Sequence, residues 1–316
     1  MTTGTPSPSL RLLVIAGPTA SGKSALALEL ADRLDGEIVC VDSLTVYRGV
    51  DIGSAKPSPT DRARVPHHLL DIRNPCEPFS AADFRREAAR AIADITARGK
   101  RPILAGGTGL YLRILLGGLA DAPGGDRELR ERLQRRAEQE GGEALLAELQ
   151  RIDPETAAGL HPNNLIRIIR ALEVWHASGA PLSHFQQRHQ FSDRPYRPLQ
   201  YLLNLPRELL YRRIDARVHR MLREGLVEEY QSLVASGVPA DAKPLCAIGY
   251  KEVAAFLAGD IPASELPQVI ARNTRHYAKR QLTWFRKEAE MLSVAYPPDS
   301  ATIAREAARF FKEGER

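Results

Sequence analysis

Leu10 to Ala16 reads LRLLVIA, a short run of branched apolar residues that stops at Gly17. So short and continuous a run predicts a strand buried on both faces of a parallel sheet. Over 22–34 the period changes, with Leu26, Ala27, Leu30 and Leu34 recurring at three and four as on one helix face. Glu37 to Val41 is a second short apolar stretch, ending at Asp42, so strand, helix and strand follow one another as in a βαβ unit. Further on, His68 to Ile72 predicts a strand. Ser80 to Arg98 predicts an amphipathic helix with Ser80 as N-cap and Asp83 in its first turn, and Pro102 to Ala105 a strand ending at Gly106.

Past Gly117 the pattern changes. Ala120 to Asp126 is a Gly/Pro-rich linker, Arg127 to Ala177 reads as helix after helix, and Gly179 to Pro198 is polar. Leu199 to Leu205 (LQYLLNL) is the next strand, and Arg207 to Val234, Tyr250 to Ala258, Leu266 to Leu292 and Ser300 to Lys312 read as helical. Residues 1–120 and 197–316 are therefore expected to form one α/β core, interrupted by a helical insertion domain over 121–196.

Composition narrows this picture only a little. The chain has 316 residues, 43% hydrophobic and 26% charged, enough to bury a core; Lys plus Arg outnumber Asp plus Glu by 44 to 39, a mild tilt toward anionic partners. No apolar run approaches the roughly 18 residues of a membrane span, and Met1 to Ser9 is small, polar and proline-bearing, so neither membrane nor secretion is expected. Cys40, Cys76 and Cys246 are isolated and odd in number, which fits a reducing cytoplasm better than a disulfide framework.

The chemistry begins at Gly17, Pro18, Thr19, Ala20, Ser21, Gly22, Lys23 and Ser24, which satisfy G-x-x-x-x-G-K-[ST] between a predicted strand and a predicted helix. The glycines let the backbone curl its N–H groups around an anion, Lys23 adds a charge at the terminal phosphates, and the Ser24 hydroxyl suits Mg²⁺. The expected fold is thus a P-loop NTPase-like parallel sheet flanked by helices. The loop accepts a nucleotide such as ATP or any other diphosphate, and a small-molecule kinase remains open at this point. Asp42, at the end of the second strand, is placed to accept a proton from a nucleophile or to hold Mg²⁺ through water. Gly106, Gly107, Thr108 and Gly109 follow the next strand and bring a hydroxyl to the same sheet edge.

Arg213 and Arg217 are four apart on a predicted helix, the spacing of a phosphate clamp. Arg272, Arg275, His276, Lys279, Thr283 and Arg286 recur at three and four as a basic face suited to nucleic-acid phosphates, while Tyr277, Gln281 and Trp284 fall on another face and read as core. In the insertion Asn163, Arg167 and Arg170 form a polar line beside an apolar one of Leu165, Ile168, Ile169, Leu172 and Trp175.

GPTASGKS (17–24), VDSLTVYRGVDIGSAKP (41–57), PHHLLDI (66–72), GGTGLY (106–111), HPNNLIRIIRALEV (161–174), AIGYKEV (247–253) and YAKRQLTWFRK (277–287) resemble, in order, the blocks of the bacterial tRNA dimethylallyltransferase family, over about residues 11–290. The resemblance implies transfer of a dimethylallyl group from dimethylallyl diphosphate to N6 of the adenosine 3′ to the anticodon, position 37, in tRNAs reading codons that begin with U. Diphosphate leaves, Mg²⁺ assists, and the loop at 17–24 holds the isoprenoid diphosphate. By the same resemblance Asp42 and Thr108 are catalytic. Those two with Ser43, Leu44, Thr45, Arg130, Ile166, Arg167, Ile168, Ile169, Arg170, Cys246, Ala247, Ile248, Gly249, Tyr250 and Lys251 contact the anticodon stem-loop, joined by Arg275 and Lys279 of the basic face. The family usually carries Gln where this chain has Thr45 and Gln-Arg where it has Ile166 and Arg167. A cytoplasmic monomer is expected.

Overall fold

The first strand, β1 (Leu10–Ala16), loses all exposed surface from Leu12 onward, the burial expected of a strand covered on both faces. It is followed by α1 (Lys23–Leu34), β2 (Gly36–Val41), α2 (Pro59–Arg64), β3 (His67–His68), α3 (Ala81–Ala97), β4 (Arg101–Gly106) and α4 (Gly109–Gly117). The computed structural model describes residues 10–189 and 193–313. They form two compact units, one made of the chain up to Leu116 and from Pro195 onward, the other Gly117–Arg194.

The second unit consists of α5 (Arg127–Glu140), α6 (Gly142–Ile152), α7 (Pro154–Ala158), α8 (Leu165–Ser178) and α9 (Leu182–His189). Leu133, Leu145, Leu149, Ile168 and Leu172 close a core of its own, at most 1% exposed. The first unit resumes with β5 (Tyr196–Asn204), α10 (Arg207–Arg223), α11 (Leu226–Ala235), α12 (Tyr250–Leu257), α13 (Leu266–Phe285), β6 (Leu292–Ala295) and α14 (Ser300–Lys312).

All six strands run parallel in the order β3-β2-β4-β1-β5-β6. The chain leaves the central β1 for β2 and β3 on one side, returns with β4 between β1 and β2, then crosses to the other side with β5 and β6. The carboxyl end of β1 is therefore the point where the winding reverses, the usual place for a ligand crevice in such sheets. Gly106, paired with Val41, admits no side chain there, because a Cβ would sit 2.0 Å from the Val41 carbonyl oxygen.

Several expected elements differ. His68 to Ile72 is a strand only at His67–His68, because Leu69 and Asp71 adopt positive φ (65° and 57°), which ends an extended run. The helix expected over Arg207 to Val234 is two helices, broken at Gly225 with φ 101°. The helix expected to reach Leu292 stops at Phe285, and Leu292–Ala295 is instead an edge strand beside β5. Helix α3 matches its signals, with Ser80 accepting from the Asp83 N–H in a capping box. No helix among the described residues is long and apolar enough to cross a membrane.

Candidate active site

Between β1 and α1 the backbone curls tightly. Ala20 and Gly22 take positive φ (62° and 92°), the Ser21 N–H donates to the Pro18 carbonyl at 3.2 Å, and Lys23 Nζ turns back onto the same carbonyl at 3.2 Å. A Cβ on Gly17 would approach Ser21 Oγ to 2.8 Å, so the first glycine of the motif is what permits the curl. No side chain caps α1. Its first N–H groups are thus left for an anion at the helix N-terminus.

The loop opens on a cavity of about 480 Å³. Its wall brings together Thr19, Lys23, Ser24, Asp42, Ser43, Leu44, Thr45, Arg217, Cys246, Ala247, Ile248, Gly249 and Lys251, residues scattered over more than two hundred positions. Asp42 Oδ1 accepts the Leu44 N–H at 2.8 Å, which fixes the carboxylate at the start of its loop. Thr45 is buried and its hydroxyl has no hydrogen-bond partner.

Two half-buried cations, Lys23 and Arg217, face one carboxylate here. Burial holds the Lys23 ammonium down at about 8, with Arg217 pressing the same way and Asp42 opposing. Arg217 is also lowered by burial and supported by Asp42. Positive charge is in surplus, which is the electrostatic signature of a site awaiting an anion. Burial, together with the Asp42 charge, pushes the Cys40 thiol up to about 12 and the Tyr277 phenol likewise to about 12. Both stay protonated and neutral. The wall's hard oxygen donors, the Ser24 hydroxyl and the Asp42 carboxylate, are of the kind Mg²⁺ takes together with substrate phosphates. Among the described residues no cluster of three or more His, Cys, Asp or Glu is arranged to hold a metal by itself.

Other expected site residues lie elsewhere. Arg213 braces the phosphate loop, donating to the Ser21 carbonyl at 3.3 Å and to the Tyr296 hydroxyl at 2.6 Å. Thr108 is behind the wall, next to Tyr277, with its Oγ1 buried and without a well-formed hydrogen bond. Tyr250 turns its side chain inward. The ring is fully buried and its hydroxyl donates to Glu229 at 2.5 Å. Arg275 is ion-paired with Asp215 and stacks over Tyr211, while Lys279 is exposed.

In the second unit, Ile168 and Ile169 are core side chains, 0% and 4% exposed. Ile166 is 86% exposed and Arg167 lies beside it on the open face. Arg130 forks onto the buried carboxylate of Glu173, at 2.8 and 3.0 Å, and Arg170 donates to the Pro123 carbonyl at 2.7 Å.

The residues that pattern reading passed over are Gly53, Ser54, Ala55, Lys243, Tyr277, Arg280 and Gln281, all on the wall. The DIGSAKP run, with a glycine between polar residues in no regular element, was the available signal for the first three. Nothing local marks Gln281, because its partners are Thr19 and Gly107.

A glycine-rich loop at the switch point of a parallel sheet, with lysine and serine opening the next helix, defines a P-loop-type phosphate-binding α/β protein. The sequence profile described as IPP transferase matches residues 45–288, and so begins just after the phosphate loop and Asp42. The chain belongs to the IPP transferase family. It is 65% identical over 301 residues to tRNA dimethylallyltransferase 1 of Trichlorobacter lovleyi, covering 95% of this chain and 99% of that one. It is 57% identical to the tRNA dimethylallyltransferase of Geobacter metallireducens, over 91% and 93% of the two chains. Among solved structures it resembles the tRNA isopentenylpyrophosphate transferase of Bacillus halodurans (38% identity, TM-score 0.71, 96% and 98% covered). It also resembles a eukaryotic dimethylallyltransferase acting on tRNA (26% identity, TM-score 0.82, 96% and 80% covered).

Proposed function

We propose that this chain transfers a dimethylallyl group from dimethylallyl diphosphate to N6 of adenosine 37 in tRNAs that read codons beginning with U. The products are N6-dimethylallyladenosine and diphosphate. The observation that carries the reading is the convergence of half-buried Lys23 and Arg217 with Asp42 on one cavity at the phosphate loop. The names of the relatives supply the acceptor class.

An exocyclic adenine amine is a weak nucleophile because its lone pair is delocalised into the ring. As N6 attacks the first carbon of the allyl group, the carbon–oxygen bond to diphosphate breaks and diphosphate leaves with the electron pair. The N6 proton passes to the Asp42 carboxylate, which faces the same space. Negative charge grows on the departing diphosphate, and Lys23, Arg217 and the loop N–H groups are fixed beforehand to receive it. Ser24 would hold Mg²⁺, whose chemistry is to neutralise diphosphate charge. The base must leave its stack to enter the cavity, so an anticodon loop, already unpaired, costs less to engage than a duplex. The outward face of α13, where Lys279 is exposed, is suited to tRNA phosphates. The work is that of a cytoplasmic enzyme.

Mass analysis of an anticodon stem-loop incubated with the protein, Mg²⁺ and dimethylallyl diphosphate tests this. A gain of about 68 Da, one C5H8, on an unpaired base is expected. Phosphoryl transfer from ATP in its place would make the protein a kinase.

A further inference from the structure

Gln281 lies on α13 and is buried, 7% exposed. Its Oε1 accepts the Thr19 N–H of the phosphate loop at 2.8 Å, and its Nε2 donates to the Gly107 carbonyl of the second glycine-rich loop at 2.9 Å. One bond needs an acceptor and the other a donor, so an amide in a single orientation satisfies both. The contact is close on every side: a Cβ on Gly107 would lie 2.3 Å from Gln281 Nε2 and 3.0 Å from the Gly17 carbonyl oxygen. The two loops have no other side chain bridging them in this way among the described residues. One carries Lys23 and Ser24, the other Gly106 on the cavity wall and Thr108 behind it.

We propose that Gln281 is a positioning residue, whose amide sets the spacing of the phosphate loop against the 106–109 loop and so aligns the diphosphate with the group that receives the allyl carbon. The kinetic part rests on the transfer reading; the loop-spacing part does not. A side chain of the same length without the amide keeps the packing and loses both bonds, together with the hydrogen bond to the neighbouring Tyr277 phenol. A carboxylate keeps the bond from Thr19 and sets a negative oxygen against the Gly107 carbonyl. Once protonated, that carboxyl again offers one acceptor and one donor.

The test compares Gln281→Met and Gln281→Glu with the wild-type chain. Binding of inorganic diphosphate with Mg²⁺ is followed by calorimetry, and single-turnover transfer and tRNA affinity are followed on the stem-loop, from pH 5.5 to 8. At pH 8 both variants should bind diphosphate and react about tenfold more weakly or slowly, with tRNA Kd within about twofold of wild type. The ratio of Gln281→Glu to wild type should recover about tenfold as pH falls, while the ratio for Gln281→Met stays flat. That recovery separates the amide's bonding from its packing. Wild-type behaviour of Gln281→Met, or a pH-independent ratio for Gln281→Glu, would overturn the proposal. If the wild-type chain transfers no allyl group, the function reading fails instead, and diphosphate binding alone still decides the role of Gln281.

Discussion

Glu229 on α11 and Tyr250 at the start of α12 meet through a 2.5 Å hydrogen bond from the phenol to Oε1. The same carboxylate accepts three successive backbone N–H groups, from Asp51, Ile52 and Gly53, at 2.8, 2.8 and 2.9 Å. Gly53 lies against the Tyr250 ring, where a Cβ would come within 2.3 Å. One side chain thus ties the 51–55 wall of the cavity to the 246–251 wall. Glu229→Ala leaves three amides and a buried phenol without their charged acceptor. We expect a loss of about 2–3 kcal/mol in urea unfolding, and about 1 kcal/mol for Tyr250→Phe. A change below about 0.5 kcal/mol for Glu229→Ala would show that water replaces the carboxylate.

Lys23 should make diphosphate binding sensitive to alkaline pH. Its ammonium ionises near 8 in the folded protein, far below the ordinary lysine value, so it is mostly charged at pH 7 and mostly neutral at pH 9.5. A bound anion favours the charged form, so affinity is highest below about 8 and declines as pH rises through it. Calorimetry at pH 7 and 9.5 should show about a tenfold weakening in the wild-type chain and a much flatter profile in Lys23→Met.

Asp42→Asn should separate chemistry from binding. Single-turnover transfer is expected to fall by about 100-fold or more, as for removal of a general base, with tRNA affinity unchanged. Because Asp42 raises the Lys23 ionisation, its loss should move the pH midpoint of diphosphate binding downward. A variant that keeps most of its rate would place proton acceptance elsewhere.

The basic face of α13 is not uniform. Arg275 already has Asp215 and the Tyr211 ring as partners, whereas Lys279 is exposed. Arg275→Met should cost about 1 kcal/mol of stability, discounted for its partial exposure, and leave the salt dependence of tRNA binding nearly intact. Lys279→Met should leave stability unchanged and lower the slope of log Kd against log salt by about one. Equal slopes for both variants and the wild type would remove Lys279 from the tRNA surface.

Local signals located much of this. Short branched runs marked β1, β2 and β4, and the Ser80 and Asp83 pair marked the start of α3, because strand burial and helix capping depend on neighbours in sequence. The P-loop was legible for the same reason. Helix α4 and strand β6 are not marked by any periodic run in the sequence, since four residues at a sheet edge leave too short a period to read. Ile168 and Ile169 show a different limit: a block likeness marks a segment, while the helix period decides which of its side chains face inward. Gln281 read as core, and it is buried, yet its work depends on amides more than 170 positions away.

The pairing of β1 with β5 has a bearing on how the chain is made. Leu13 lies beside Leu199 and Ile15 beside Tyr201, so one whole edge of the central strand stays unsatisfied until the insertion has been synthesised. At about 5–20 residues per second, roughly ten seconds or more pass on the ribosome before that partner emerges. During that interval an apolar strand, already paired on its other side once β4 appears, presents open backbone to other chains. Slowing elongation within 117–194 should therefore lower the yield of folded protein without altering a single contact in the product.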